Sequence, residues 1–284
     1  MKRSLLTVLF ISSHWLAIQA NAQAKINDPA TLIFKTIDTV NLSLKIYRPA
    51  NFDKRLTYPV IIFFFGGGWN KRNADQFIPQ AHYFTDQGMV AILADYRVYN
   101  IHKTSPFEAV RDAKSAIRYI KINHIQLNID TNRLVAAGGS AGGQLAAACD
   151  LTKLDEANED LSISSRPKAL VLFNPVINNG RGNYGFGRVK DRYAEISPYH
   201  NITKGAAPAI IFSGTADTIV TPSVLQQYQK RMQEFNNRCE LYLYKDKIHG
   251  FYTYRKSGNN DIFYDTMEKT TVFLNSLGII TSIK

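Results

Sequence analysis

The segment Gly138-Gly139-Ser140-Ala141-Gly142 follows the apolar run Leu134 to Ala137 and precedes Gln144-Leu145-Ala146-Ala147-Ala148, which suits a helix. A serine hydroxyl becomes a competent nucleophile when a neighbouring base takes its proton. The order strand, glycine-flanked serine, helix lifts such a hydroxyl to the end of a sheet, in front of a helix N-terminus. The turn is so tight that positions two residues either side of the serine leave no room for a side chain, which requires glycine. The chemistry available is attack on a carbonyl carbon. An ordinary strand-to-helix turn could carry the same five residues, so partners decide the matter.

Three other stretches supply them. The apolar run Val60 to Phe65 opens into Gly66-Gly67-Gly68-Trp69, where consecutive glycines let backbone N–H groups turn toward the oxyanion that forms under serine attack. Ala209 to Phe212 runs into Ser213-Gly214-Thr215-Ala216-Asp217, just before Thr221-Pro222. A carboxylate there can orient a histidine and stabilise its protonated form. Asp246 and Asp191 compete with Asp217, whose strand-end context is better. After Leu241 to Tyr244 comes Lys245-Asp246-Lys247-Ile248-His249-Gly250-Phe251. Of the six histidines, His14 falls in the leader described below, His82 in a helical pattern and His124 after one, and His102 and His200 in loops without register. His249 is the best general base.

The elements that must hold these residues read as alternating layers. Leu42, Leu44 and Ile46 alternate as in a half-exposed antiparallel strand, whereas Val60 to Phe65, Met89 to Ala94, Leu134 to Ala137, Ala169 to Phe173, Ala209 to Phe212 and Leu241 to Tyr244 are runs suited to strands covered on both faces. Between them, Phe107, Val110, Ala113, Ile117 and Ile120 keep helical spacing, as do Val224, Leu225, Tyr228, Met232 and Phe235, and later Phe263, Met267, Phe273, Leu274 and Leu277. This predicts an α/β protein with a mostly parallel sheet and helices on both faces, binding its ligand at the carboxyl ends of the strands. Residues 176–200, rich in Asn, Gly and aromatics, interrupt the pattern as a lid or substrate loop whose Asn178, Tyr184, Phe186 and Tyr193 could meet substrate. Trp69 and Tyr99 are further candidates for the cleft wall.

Met1-Lys2-Arg3 followed by apolar residues from Leu5 to Ile18 and by Ala20-Asn21-Ala22 and Ala22-Gln23-Ala24 predicts a secretory leader, residues 1–22, cleaved after 22 or 24. Its apolar stretch is interrupted by Ser12, Ser13 and His14 and is shorter than the ~20 residues of a spanning helix. The expected mature chain, 23–284, is a single domain without a membrane span, secreted or periplasmic. The formal net charge of +11 is spread along the chain without a dense basic run, which argues against nucleic-acid binding, although a diffuse positive field suits an acidic polysaccharide or cell envelope. Cys149 and Cys239 are too few for a disulfide framework or a four-ligand zinc site and read as two free, buried thiols. No H-E-x-x-H occurs, and the glycines around Ser140 lack the G-x-G-x-x-G register, so neither a metal nor a dinucleotide or other cofactor is called for.

The chain order Ser140, Asp217, His249, with an elbow and a glycine loop where the topology needs them, resembles the α/β-hydrolase superfamily over nearly all of the expected mature chain. More narrowly, Phe65-Gly66-Gly67-Gly68-Trp69, Asp95-Tyr96-Arg97, Ser197-Pro198 and His249-Gly250-Phe251 resemble exported bacterial esterases of the acetylxylan and feruloyl type and the hormone-sensitive-lipase-like group. The resemblance implies a cofactor-free serine carboxylesterase with Gly67, Gly68 and Ala141 as oxyanion donors, acting on a small or polysaccharide ester such as an acetylated carbohydrate. Those relatives usually carry a histidine where this chain has Phe65. That histidine helps fix the loop by hydrogen bonding, a contact phenylalanine does not make. Two rival readings are a serine peptidase or amidase of the same fold, and a binding protein that has given up catalysis. Such a peptidase usually carries an additional gating domain for which this chain has no length, and such a binding protein usually loses the serine or histidine, both present here.

Overall fold

Apolar sequence without interruption builds the middle of the sheet. In the computed structural model, which describes residues 29–281, the strands are β1 (Ala30–Ile37), β2 (Val40–Tyr47), β3 (Tyr58–Phe64), β4 (Val90–Ala94), β5 (Ile129–Gly139), β6 (Ala169–Phe173), β7 (Ala209–Gly214) and β8 (Cys239–Tyr244). They form one sheet in the order β1-β2-β4-β3-β5-β6-β7-β8. β1 pairs with β2 and β2 with β4 antiparallel, and the other pairs are parallel. The α/β architecture read from the sequence is therefore observed, with an antiparallel hairpin at one edge. Residues 1–22, read as a leader, lie outside the described residues. Among the described residues, no helix is long and apolar enough to cross a membrane.

Five longer helices cover the sheet: α1 (Ile78–Asp86), α2 (Pro106–Ile122), α3 (Ala141–Leu151), α4 (Pro222–Glu234) and α5 (Asp261–Ser276). α2 starts where Ser105 and Glu108 form a reciprocal cap and Pro106 supplies the first helical φ. Side chains alternate across the sheet, so Val60, Ile62 and Phe64 pack with α2, α3 and α4, whereas Ile61 and Phe63 pack with Phe77, Phe84 and Phe273 beside α1 and α5. Burying each such side chain contributes roughly 1.5–3 kcal/mol against chain entropy. A sheet covered on both faces is rigid, and its carboxyl edge is where loops can be held in place.

Three elements differ from the expectation. Leu241 to Tyr244, read as covered on both faces, is half-buried to exposed because β8 is an edge of the sheet. β1 has exposed and half-buried residues throughout because it is an edge strand, and its sequence lacks the apolar run of a covered one. β5 begins five residues before Leu134: buried Ile129 pairs with Tyr58, and the polar Asp130-Thr131-Asn132-Arg133 lie at a break in the pairing before Leu134 meets Val60. Cys149 and Cys239 are buried and unpaired.

Candidate active site

At the end of β5 the backbone reverses through Ser140, which has φ 54° and ψ −119°. That left-handed conformation is costly for a non-glycine residue and is held only when its surroundings insist on it. Here the Ser140 amide donates to the Phe173 carbonyl (2.9 Å), and the Ser140 carbonyl accepts from the amides of Gln144 (3.1 Å) and Val176 (3.0 Å). A Cβ at Gly142 would sit 2.0 Å from the Phe64 carbonyl oxygen, and one at Gly138 2.4 Å from that of Gly142. The flanking glycines thus meet backbone on both sides, as the tightness of the turn requires.

The loops after β7 and β8 bring two distant side chains to this hydroxyl. His249 Nε2 lies 2.9 Å from Ser140 Oγ, and His249 Nδ1 lies 2.7 Å from Asp217 Oδ2. The Asp217 side chain has no solvent exposure, and its Oδ1 accepts from the amides of Ile219 (2.9 Å) and Val220 (3.0 Å). Burial pushes the Asp217 carboxyl upward, but the bonds from His249 and these amides prevail and hold it below its ordinary value. An ionised Asp217 only accepts, so Nδ1 must carry the proton and Nε2 presents its lone pair to the serine. This is the tautomer a general base needs.

Asn174, at the end of β6, joins the group although no motif in the sequence marks it. Its Oδ1 accepts from the Gly250 amide (3.0 Å), which turns its Nδ2 toward His249 Nε2 at 3.3 Å. Asn174 has φ 35° and is wholly buried. The only sequence signal was a polar residue at the end of an apolar strand.

The glycine loop is tethered without a histidine. Phe65 stacks on Tyr96 at 4.0 Å between ring centroids, and the Tyr96 hydroxyl donates to the Phe65 carbonyl (2.8 Å). The Gly66 amide donates to Gln76 Oε1 (2.5 Å), while Gln76 Nε2 donates to the Tyr252 hydroxyl (2.9 Å). The Gly67 carbonyl accepts from the amides of Asn70 (3.0 Å) and Lys71 (3.1 Å), and Arg188 donates to the Gly68 carbonyl. Gly67 has φ 132°, and a Cβ there would meet the Lys71 carbonyl oxygen at 2.3 Å. Among the described residues, the amides of Gly67, Gly68 and Ala141 have no acceptor.

Ser140 and His249 open into a cleft of about 510 Å³, walled also by Gln76, Asn174, Tyr184 and Tyr252. A smaller cavity of about 110 Å³, lined by Val176, Ile177, Val220 and Val224, shares Tyr184 and Ile219 with the cleft. Of the five aromatics expected at substrate, Tyr184 alone lines the cleft, and Tyr193 packs against Phe186 and His200. Trp69 is a correction: it is 1% exposed, and its indole N–H donates to Gln144 Oε1 (3.1 Å), because a buried indole must find an acceptor. Tyr99 is half exposed beneath Lys103, and Phe186 packs on Arg181 and Tyr193; neither lines the cleft. Residues 176–200 also differ from a free lid. Ile177, Val189 and Ile196 are buried, and Gln144 Nε2 holds the Ile196 carbonyl at 2.7 Å. Among the described residues no group of three His, Cys, Asp or Glu side chains could hold a metal ion.

A parallel sheet with the serine after β5, the carboxylate after β7 and the histidine after β8 defines an α/β hydrolase, and comparison with known proteins agrees. The BD-FAE family model matches residues 44–179 and that of the dienelactone hydrolase family residues 168–277. Esterase 2 of Thermogutta terrifontis is 38% identical, superposes with a TM-score of 0.86, and the match covers 90% of this chain and 97% of that one. This chain belongs to the α/β-hydrolase esterase family. Esterase LipC of Mycobacterium tuberculosis is 26% identical over 65% of this chain, and an acetylxylan esterase of Xylanibacter ruminicola 25% over 66%. The matched region is 51% of LipC and 39% of the acetylxylan esterase, so this chain matches about half or less of either curated relative.

Proposed function

We propose that the protein is a serine carboxylesterase that cleaves short-chain acyl esters, removes acetyl groups from carbohydrate, and works outside the cytosol. The observation that carries this reading is the 2.9 Å approach of His249 Nε2 to Ser140 Oγ, with Asp217 behind the ring. In the proposed mechanism His249 takes the Ser140 proton as Oγ attacks the ester carbonyl carbon. The carbonyl oxygen becomes negative and is met by the amides of Gly67, Gly68 and Ala141. The alkoxide leaves with the proton from His249, leaving an acyl-serine. Water, deprotonated by the same ring, then releases the carboxylic acid and restores Ser140. Loss of one oxyanion donor typically costs about 10²–10³ in rate, so the glycine loop matters as well as the triad.

A short acyl group fits the uncharged 110 Å³ cavity beside the cleft, and the Thermogutta esterase has structures with propionate and with butyrate bound. Support for carbohydrate comes from the acetylxylan esterase relative, and support for export comes from the leader-like start of the sequence. Purified protein should release 4-nitrophenol from the acetate and butyrate esters and acetate from acetylated xylan. Folded Ser140→Ala and His249→Ala variants should not. Turnover retained in Ser140→Ala rules out the mechanism, and acetylated xylan left intact while the nitrophenyl esters are cleaved rules out the carbohydrate reading.

A further inference from the structure

The cleft is electrically one-sided. Lys71 and Arg72 are on its wall, and no Asp or Glu is among the residues lining it. Lys71 is exposed and, among the described residues, pairs with no carboxylate. Arg72 is held by Asp95 through Nε and Nη2 at 2.7–3.0 Å, which cancels its charge but leaves Nη1 free to donate. Arg188 reaches the same loop, donating to the Gly68 carbonyl and bound to no carboxylate. The nearby acids are committed elsewhere, Asp75 to Lys45 and Asp191 to Arg181. Two uncancelled positive charges therefore flank the turn that presents the Gly67 and Gly68 amides. Lys71 is fixed to that turn, its own amide bonded to the Gly67 carbonyl.

The two cavities differ in kind. The small one is lined by no charged side chain and has room for a short acyl group, whereas the larger is open and carries Lys71 and Arg72 on its wall. We infer that the alcohol half of the substrate carries a carboxylate: the protein prefers acyl esters of uronosyl sugars, the anion sitting against Lys71 with Arg188 adding to the field. This rests on the esterase reading given above. Exposed charges across a cleft act mainly on encounter and selectivity, and salt screens them.

The test is a matched pair, acetylated methyl glucuronoside against acetylated methyl glucoside, with 4-nitrophenyl acetate as the check on esterase activity. The ratio of kcat/KM, uronate over glucoside, is expected to be about fivefold or more at about 0.02 M salt and to approach one at about 0.5 M. Lys71→Gln should lower the ratio and Lys71→Glu should bring it below one. Lys54→Glu, at the opposite end of the sheet, controls for net charge and should leave the ratio as in the parent protein. A ratio near one at low salt, or a ratio that survives Lys71→Glu, overturns the inference while the esterase reading stands. Failure to cleave any of the three esters overturns both.

Discussion

Gln76 accepts a hydrogen bond from the glycine loop, and removing that acceptor should cost catalysis more than binding. The Gly66 amide is buried and its partner is Gln76 Oε1 at 2.5 Å. In Gln76→Leu that N–H has no side-chain acceptor, a cost of about 1–3 kcal/mol that the loop can escape only by moving. If the escape withdraws Gly67 and Gly68 from the oxyanion, the same energy appears in the barrier, roughly five- to 150-fold in kcat. KM should change little, because the interaction matters most once the carbonyl oxygen is charged. The pH profile should keep its shape, since His249 and Asp217 are untouched. Tyr252→Phe is a graded control: it removes the hydroxyl that receives Gln76 Nε2 (2.9 Å) but leaves the Gly66 bond, and should cost less. Steady-state hydrolysis of 4-nitrophenyl acetate, with thermal melting to establish folding, decides it. A folded Gln76→Leu variant with kcat within about twofold of the parent refutes the argument that this bond positions the oxyanion donors.

Three further variants test the site. Gly142→Ala would force a Cβ to within 2.0 Å of the Phe64 carbonyl oxygen, so the variant should melt markedly lower or fail to fold, and a parent-like melting temperature contradicts the packing described. Asp217→Asn should lower kcat by about 10⁴ through the wrong imidazole tautomer. In the parent, the Asp217 carboxyl is depressed below 3.8 on folding, so its stabilisation is complete above that value and lost as pH falls through the folded value. Stability curves of parent and Asp217→Asn should therefore converge at acid pH, and a constant gap down to about pH 2 contradicts this. Trp69→Phe should lower stability by about 1–3 kcal/mol in denaturant titration, by orphaning buried Gln144 Oε1, with little change in KM.

What could be read in the sequence follows physical cause. β3, β4, β6 and β7 are covered on both faces, so nearly every residue must be apolar and the run announces itself. β1, at an edge, needs no such run. Ser140, Asp217 and His249 were legible because each follows an apolar strand, and sterics dictate the glycines around the serine. Asn174 and Gln76 were not, because a single amide acts through where the fold carries it: Gln76 is eight residues beyond Gly68, across a loop whose path no local pattern records. Trp69 misled for a related reason. An aromatic beside a glycine loop can face either way, and the acceptor on Gln144 that draws its indole inward belongs to α3, distant in sequence.

The central claim is that Ser140 is the nucleophile, activated by His249. Intact-mass and peptide mass spectrometry after treatment with paraoxon tests it directly, since an organophosphate is trapped by the activated hydroxyl. One diethylphosphoryl group on Ser140, absent from Ser140→Ala and strongly slowed in His249→Ala, is the expected result. Labelling of another residue at equal rate in Ser140→Ala, with ester turnover retained, would contradict it.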